Sequence, residues 1–227
     1  MPALFTDRTD AGRQLAAKLQ HLAGRPDVVV LGLPRGGVPV AYEVALALGA
    51  PLDVFVVRKL GVPGHEELAM GAVASGGVRV VNQEMVRAAG ITRHTFDLVT
   101  EAERHEIDRQ EREFRDGRPF PGLRGSTVIL VDDGVATGST MLAGVRALHE
   151  LRPAAIIVAA PVMARDAHGA LSQEADACEC VLVPEPFHAV GEYYDDFEQT
   201  SDDRVRRLLR VAAARSSGQQ ARYAGLS

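Results

Sequence analysis

The sequence predicts an α/β protein with a mainly parallel sheet that is flanked by helices. Apolar runs rich in valine and isoleucine alternate along the 227 residues with segments of helical periodicity, which is typical of parallel sheets. Two loops rich in glycine and small residues, LPRGG at 33–37 and DDGVATGST at 132–140, each follow a predicted strand and precede a predicted helix. Because ligands bind at the carboxyl ends of the strands in such sheets, the two loops predict one shared site.

The helices and strands can be assigned in order along the chain. Predicted strands are short apolar runs bounded by glycine, proline or polar residues. Predicted helices repeat apolar residues every three or four positions; Gly49 closes the second, and Ser201 can cap the start of the last. The predicted helices cover 7–23, 38–49, 83–90, 92–117, 138–151, 164–175 and 201–214. The predicted strands cover 27–33, 51–59, 68–75, 78–81, 127–131, 154–162 and 177–183.

Composition argues against several classes of protein. The net charge of -5 and the pI near 5.8 disfavour broad nucleic-acid binding. No apolar run approaches the length of a membrane span, and the N-terminus has no signal-peptide core. We therefore expect a cytoplasmic protein without nucleic-acid or membrane partners. Cys178 and Cys180 alternate with apolar residues, and since two ligands do not complete a zinc site, we expect reduced, structural thiols.

The stretch VILVDDGVATGST at 128–140 places two adjacent acids directly after a buried strand. Asp132 and Asp133 repel each other and raise each other's pKa, so a cation or a hydroxyl-rich group is expected opposite them. The small residues and hydroxyls of 136–140, at the start of a helix, can hold an anion. Carboxylates accept hydrogen bonds from vicinal hydroxyls and are ligands for Mg²⁺. The pattern describes a ribose 5-phosphate site; the alternative is an acidic turn that only caps a helix.

This stretch resembles the thirteen-residue motif with which type I phosphoribosyltransferases bind 5-phosphoribosyl 1-pyrophosphate (PRPP). The segments LPRGG, RKLG and FHAVGEYYDDF are also similar to a group of predicted phosphoribosyltransferases. The resemblance implies a Mg²⁺-dependent enzyme that transfers ribose 5-phosphate from PRPP to a nitrogen acceptor and releases pyrophosphate. It also implies a homodimer.

The resemblance covers about residues 25 to 200 and implies one domain, taken as 1–227, with a small hood subdomain. A flexible lid is expected at 60–75, a helical insertion at 83–118, a hood segment at 184–200 and a disordered tail at 215–227.

Site residues follow from the resemblance, position by position. Asp132 and Asp133 would hold the ribose hydroxyls and, directly or through water, the metal ion. Arg58 and Lys59 would join these aspartates in catalysis, where the pyrophosphate leaves; ordinary surface cations are the alternative. A cis peptide that exposes backbone amides to pyrophosphate is expected at Arg35–Gly36. The residues expected to bind PRPP are Arg35, Gly36, Gly37, Val135, Ala136, Thr137, Gly138, Ser139 and Thr140.

The acceptor is less constrained. Enzymes for 6-oxopurines carry an acid where this chain has Ala136, so hypoxanthine and guanine are disfavoured. Phe187 or Tyr193 of the hood segment could stack on an acceptor ring, as could Tyr194, but each could equally belong to the hood core. Two other functions stay open: a regulatory protein that binds PRPP or a nucleotide without catalysis, and a hydrolase or phosphorylase-like relative that uses the same pocket.

Overall fold

The computed structural model describes the backbone of residues 4–224 and the side chains of residues 4–215. Five parallel strands form the main sheet in the order β2-β1-β6-β7-β8, as the alternation of strands and helices predicts. Their bounds are β1 Val28–Gly32, β2 Leu52–Val54, β6 Thr127–Val131, β7 Ala155–Val162 and β8 Ala177–Leu182.

A smaller antiparallel sheet in the order β3-β4-β5 lies beside the main one. Its strands are β3 Val57–Val62, β4 His65–Ala74 and β5 Val78–Val81. The segment 60–75, expected to be a lid, therefore contains most of the β3–β4 hairpin. Its turn and the start of β4 are exposed, and its mobility stays a prediction.

Helices cover both faces of the main sheet. The helices are α1 Arg8–Lys18, α2 Gly37–Leu48, α3 Gln83–Ala88, α4 Arg93–Arg115, α5 Ser139–Glu150, α6 Arg165–Glu174 and α7 Asp202–Ala224. Neighbouring residues of a strand point to opposite faces of the sheet. Ile129 and Val131 therefore enter one core with α1, α2 and α7, while Val128 and Leu130 enter another with α5 and α6. Within the described residues 4–224, no helix is both long and apolar enough to cross a membrane.

The structure divides the strand predicted at 51–59. β2 ends at Val54, and the chain then leaves the main sheet to start β3 at Val57. Ser75 fixes this crossing, since its hydroxyl accepts the Val56 N–H at 2.9 Å and its own N–H donates to the Val56 carbonyl at 2.9 Å. The single apolar run at 51–59 therefore contributes one strand to each of the two sheets.

Helix α4 fills most of the predicted insertion 83–118 and is anchored by a buried arginine. Arg115 is 2% exposed; its Nε lies 2.9 Å from Asp53 Oδ1 and its Nη2 donates to the Val54 carbonyl at 2.7 Å. Its guanidinium also lies over the Phe120 ring, 4.9 Å from the centroid. These contacts attach the C-terminal end of α4 to β2.

The C-terminal helix extends beyond its predicted end. α7 continues to Ala224, through ten residues of the segment 215–227 for which disorder is expected. Residues 225–227 lie outside the described part of the chain.

Candidate functional site

The two loops singled out in the sequence meet at the carboxyl edge of the main sheet. They follow β1 and β6, which are neighbours in register, with Gly32 opposite Val131. The contact is closest at Gly36, where an added Cβ would lie 2.0 Å from Asp133 Oδ2. At Gly37, an added Cβ would lie 2.7 Å from the Val131 carbonyl oxygen. Both glycines are therefore required by the close approach of the LPRGG backbone to the acidic pair.

The LPRGG loop contains a cis peptide bond at Pro34–Arg35. The expectation of a cis bond at Arg35–Gly36 is therefore wrong by one residue, since the bond precedes Arg35 instead of following it. Arg35 itself is exposed, and its Nη1 lies 3.6 Å from Asp202 Oδ1 at the start of α7.

The acidic pair has a cation beside it that sequence reasoning did not identify. Arg8, at the start of α1, places its Nε 2.7 Å from Asp133 Oδ2, and the two side chains are only 8% and 15% exposed. Burial raises the pKa of Asp132 well above its usual value, and the charge of Asp133 raises it further. Burial also raises the pKa of Asp133, while Arg8 opposes that rise. No local pattern marks Arg8, because its partner lies 125 residues away.

The loop before α5 presents hydroxyls at the N-terminal end of a helix. Gly138 takes a left-handed conformation, with φ of 73°, as the N-cap residue of α5. The Thr137 and Ser139 hydroxyls lie 3.2 Å apart, and both residues are exposed. Lys59 Nζ lies 3.4 Å from Ser139 Oγ. Ala136 and Thr140 are also exposed, whereas Val135 is buried beside β7. A helix N-terminus with exposed hydroxyls and a lysine beside it suits an anion.

A cavity of about 300 Å³ opens between the LPRGG loop, β3, α4 and the start of α7. Arg35, Arg58 and Thr140 line it together, so the structure brings these three predicted site residues into one space. Arg109 of α4 lines it too and was not anticipated. Arg58 is held by Glu103, with Nε 2.6 Å from Oε2. The cavity therefore brings three guanidinium groups close to the phosphate-type loop, and each of them is paired with at least one carboxylate.

The three hood aromatics proposed for the acceptor fall into two groups. Tyr194 is 5% exposed, packs against Phe5 and Phe197, and donates its hydroxyl to the Asp133 carbonyl oxygen at 2.5 Å. It therefore belongs to the hood core, and the suggestion that it stacks on an acceptor is wrong. Phe187 and Tyr193 stack on each other with centroids 5.8 Å apart and are half-buried. Their role toward an acceptor stays a prediction.

Known proteins share this architecture and much of this sequence. The profile of the phosphoribosyl transferase domain family matches residues 6–198. A Mycobacterium tuberculosis protein, whose name describes it as an inferred phosphoribosyl transferase, is 47% identical over 206 residues, covering 91% of this chain and 46% of that protein. An orotate phosphoribosyltransferase of Heliobacterium modesticaldum is 37% identical over 98 residues, 43% of this chain and 48% of its own.

A solved crystal structure shares the fold of this chain. The crystal structure of TT1426 from Thermus thermophilus superposes with a TM-score of 0.82 at 40% identity, covering 90% of this chain and 97% of that one. The chain spans about half the length of the curated relatives that it matches. The family match covers most of the chain and includes both loops and the acidic pair. The chain therefore belongs to the phosphoribosyl transferase domain family.

Proposed function

We propose that this chain transfers ribose 5-phosphate from PRPP to a nitrogen acceptor and releases pyrophosphate. One observation carries the proposal: the acidic pair lies between the LPRGG loop and the hydroxyl-bearing start of α5, at the ends of two adjacent strands. A sugar with vicinal hydroxyls and an anionic group on each side matches that order of groups. Family membership supports the same substrate.

Each part of PRPP has a proposed partner in the site. The loop 136–140 and the N-terminus of α5 hold the 5-phosphate, and Asp132 and Asp133 accept hydrogen bonds from the ribose hydroxyls. The LPRGG loop holds the pyrophosphate, with Arg58 and Lys59 supplying positive charge. Phe187 and Tyr193 face the acceptor. The short distance between Lys59 Nζ and Ser139 Oγ, 3.4 Å, supports a role for Lys59 close to the phosphate loop.

In the proposed reaction, the acceptor nitrogen forms a bond to C1 of the ribose as the bond from C1 to the pyrophosphate oxygen breaks. The ring gains positive charge, which the two carboxylates favour, and the leaving group gains negative charge, which Arg35 and Arg58 favour. The β3–β4 hairpin closes over the site and excludes water, which would otherwise compete with the acceptor.

Mg²⁺ is the proposed cofactor, and the donor set fits it. Among the described residues, no cluster of three or more histidine, cysteine or acidic side chains forms a ready metal site. Asp132 and Asp133 nevertheless supply two carboxylates, and Mg²⁺ commonly takes one or two carboxylates together with water and substrate phosphates. When bound, the ion would neutralise charge on the pyrophosphate.

The proposal extends to the cellular setting and the assembly. It places the protein in the cytoplasm, as its composition predicts, with small-molecule partners only and no nucleic acid or membrane. It also includes a homodimer. The family resemblance supports the homodimer.

The function is tested by mass-spectrometric detection of pyrophosphate from PRPP with a panel of nucleobases and amines. A transferase releases pyrophosphate only with an acceptor and forms the matching phosphoribosyl product, and EDTA stops the reaction. Release without any acceptor would indicate a hydrolase. PRPP binding without pyrophosphate release across the panel would favour the regulatory alternative.

Replacing Gly36 by alanine is expected to weaken PRPP binding by about 5- to 150-fold. The new methyl group would lie 2.0 Å from Asp133 Oδ2, so the loop or the carboxylate must move, and such overpacking costs about 1–3 kcal/mol. Isothermal titration calorimetry gives the change in affinity. Gly169→Ala is the matched control, because an added Cβ at this α6 position meets nothing within 4 Å. Equal affinities in the two variants would contradict the proposed close packing.

Hypoxanthine, guanine and xanthine are expected to be poor acceptors because Ala136 provides no carboxylate for a purine N7. The missing polar contact costs about 1–3 kcal/mol, which corresponds to about 5- to 150-fold in binding or rate. Glu185 and Glu192 of the hood segment, which are both exposed, are the candidates for a substitute acid. A competition assay with PRPP and equal concentrations of each base measures the preference. Efficient formation of IMP or GMP would contradict this reading of Ala136.

A further inference from the structure

Arg8 is held by three different groups at the edge of the candidate site. Its Nε lies 2.7 Å from Asp133 Oδ2, and its Nη1 donates to the Glu198 carbonyl oxygen at 2.7 Å. Its Cζ lies 4.0 Å from the centre of the Phe197 ring. A guanidinium that donates in two directions and stacks on a ring is fixed in one orientation.

These contacts join three separate parts of the chain. Arg8 begins α1, Asp133 belongs to the loop after β6, and Glu198 and Phe197 lie in the hood segment 184–200. The hood also reaches the backbone of the same aspartate, since the Tyr194 hydroxyl donates to the Asp133 carbonyl. The side chain of Asp133 is thus held by Arg8 of α1, which is itself bound to the hood, and its main chain is held by the hood directly.

The ion pair lies where solvent screens it little. The Arg8 side chain is 8% exposed and that of Asp133 is 15% exposed. Gly36 approaches the same carboxylate oxygen, Asp133 Oδ2, so closely that an added Cβ would lie 2.0 Å from it. Arg8 and the Gly36 backbone together confine the Asp133 carboxylate to one position. Without the Arg8 guanidinium, this carboxylate could rotate away from that position.

We propose that Arg8 is a positioning residue for the ribose hydroxyls of PRPP, because it fixes the Asp133 carboxylate and links the site to the hood. The proposal rests on the proposed function. Arg8 itself does not contact the substrate in this scheme; it acts through Asp133. Ligands that contain ribose should therefore depend on Arg8, and pyrophosphate alone should not.

The test compares three ligands by isothermal titration calorimetry at a fixed excess of Mg²⁺: PRPP, ribose 5-phosphate and inorganic pyrophosphate. Arg8→Met removes the charge but keeps a long apolar side chain over Phe197. We expect it to weaken PRPP and ribose 5-phosphate by about 10- to 100-fold, the usual effect of misplacing a binding group, and to leave pyrophosphate within about threefold.

Two further variants separate positioning from a general effect. Arg8→Lys keeps the positive charge but cannot donate in both directions and stack, so we expect affinities between those of the wild type and Arg8→Met. Arg13→Met is the matched control on the same helix. Arg13 is 69% exposed on its side chain, and among the described side chains its ion pair is with Glu43, so we expect no more than about a twofold change.

The outcomes are distinguishable. The proposal is overturned if folded Arg8→Met binds PRPP as well as Arg13→Met does, or if it loses all three ligands equally. It is also overturned if both Arg8 variants lack a cooperative thermal transition, since Arg8 would then act on the fold and not on Asp133. If only Arg8→Met fails to fold, Arg8→Lys decides by the same selective loss of ribose-containing ligands. A wild-type protein that binds no PRPP would instead contradict the proposed function, on which this inference depends.

Discussion

Replacing Asp132 and Asp133 together by asparagine is expected to lower PRPP affinity by about 100- to 10,000-fold. In the proposed complex, each carboxylate would accept a charge-assisted hydrogen bond from the ribose, worth about 1.5–3 kcal/mol, that an amide cannot match. The chain should still fold. Its free energy of unfolding should nevertheless fall, because Arg8 would lose its anionic partner at a site where it is 8% exposed. Calorimetry with PRPP gives the affinity, and urea denaturation gives the stability.

Single variants separate these two effects. Asp132→Asn should weaken PRPP binding with less loss of stability than Asp133→Asn, because Arg8 pairs with Asp133. Glu150→Gln is the control for the same chemical change, since Glu150 is exposed at the far end of α5. A folded double variant with the PRPP affinity of the wild type would show that the acidic pair does not bind the ribose.

Replacing Arg115 by methionine is expected to lower the free energy of unfolding by about 3–5 kcal/mol. The change leaves Asp53 buried without its cationic partner, and an unpaired buried charge is among the costliest defects in a fold. Burial already raises the pKa of Asp53, and Arg115 is the main group that opposes the rise. Chemical denaturation with urea measures the loss.

Two comparisons make the Arg115 result specific. Arg112→Met alters an exposed arginine on the same helix and should change the stability by no more than about 0.5 kcal/mol. Arg115 also pairs with Glu111, so adding Asp53→Leu to Arg115→Met removes one of the two stranded carboxylates and should recover part of the loss. A decrease below about 1 kcal/mol for Arg115→Met alone would mean that the ion pair does not anchor α4.

The main sheet and both site loops could be predicted from the sequence because their signals are local. Each buried strand is a continuous apolar run, and each loop follows such a run with glycines or acids at fixed positions. The alternation of strands and helices then places both loops at one edge. The structure confirms that arrangement, in which Gly36 and Asp133 touch although they are far apart in the chain.

Long-range pairings could not be predicted in the same way. The adjacent acids at 132–133 predict a cation nearby, but nothing in the sequence selects Arg8 among the 25 lysines and arginines. Arg115 ends a highly charged helix and looks like its exposed neighbours, yet it is buried against Asp53. The split of the run 51–59 depends on Ser75, which lies in another element. Each of these features is decided by tertiary packing.

We propose above all that this sheet edge binds PRPP through separate phosphate, ribose and pyrophosphate subsites. Competition calorimetry on the wild-type protein tests this most directly. PRPP is titrated with Mg²⁺ present, first alone and then after saturation with ribose 5-phosphate or with pyrophosphate. We predict one PRPP site per chain whose apparent affinity falls with either fragment, because each fragment occupies part of it. PRPP binding that neither fragment weakens, or no PRPP binding at all, would contradict the claim.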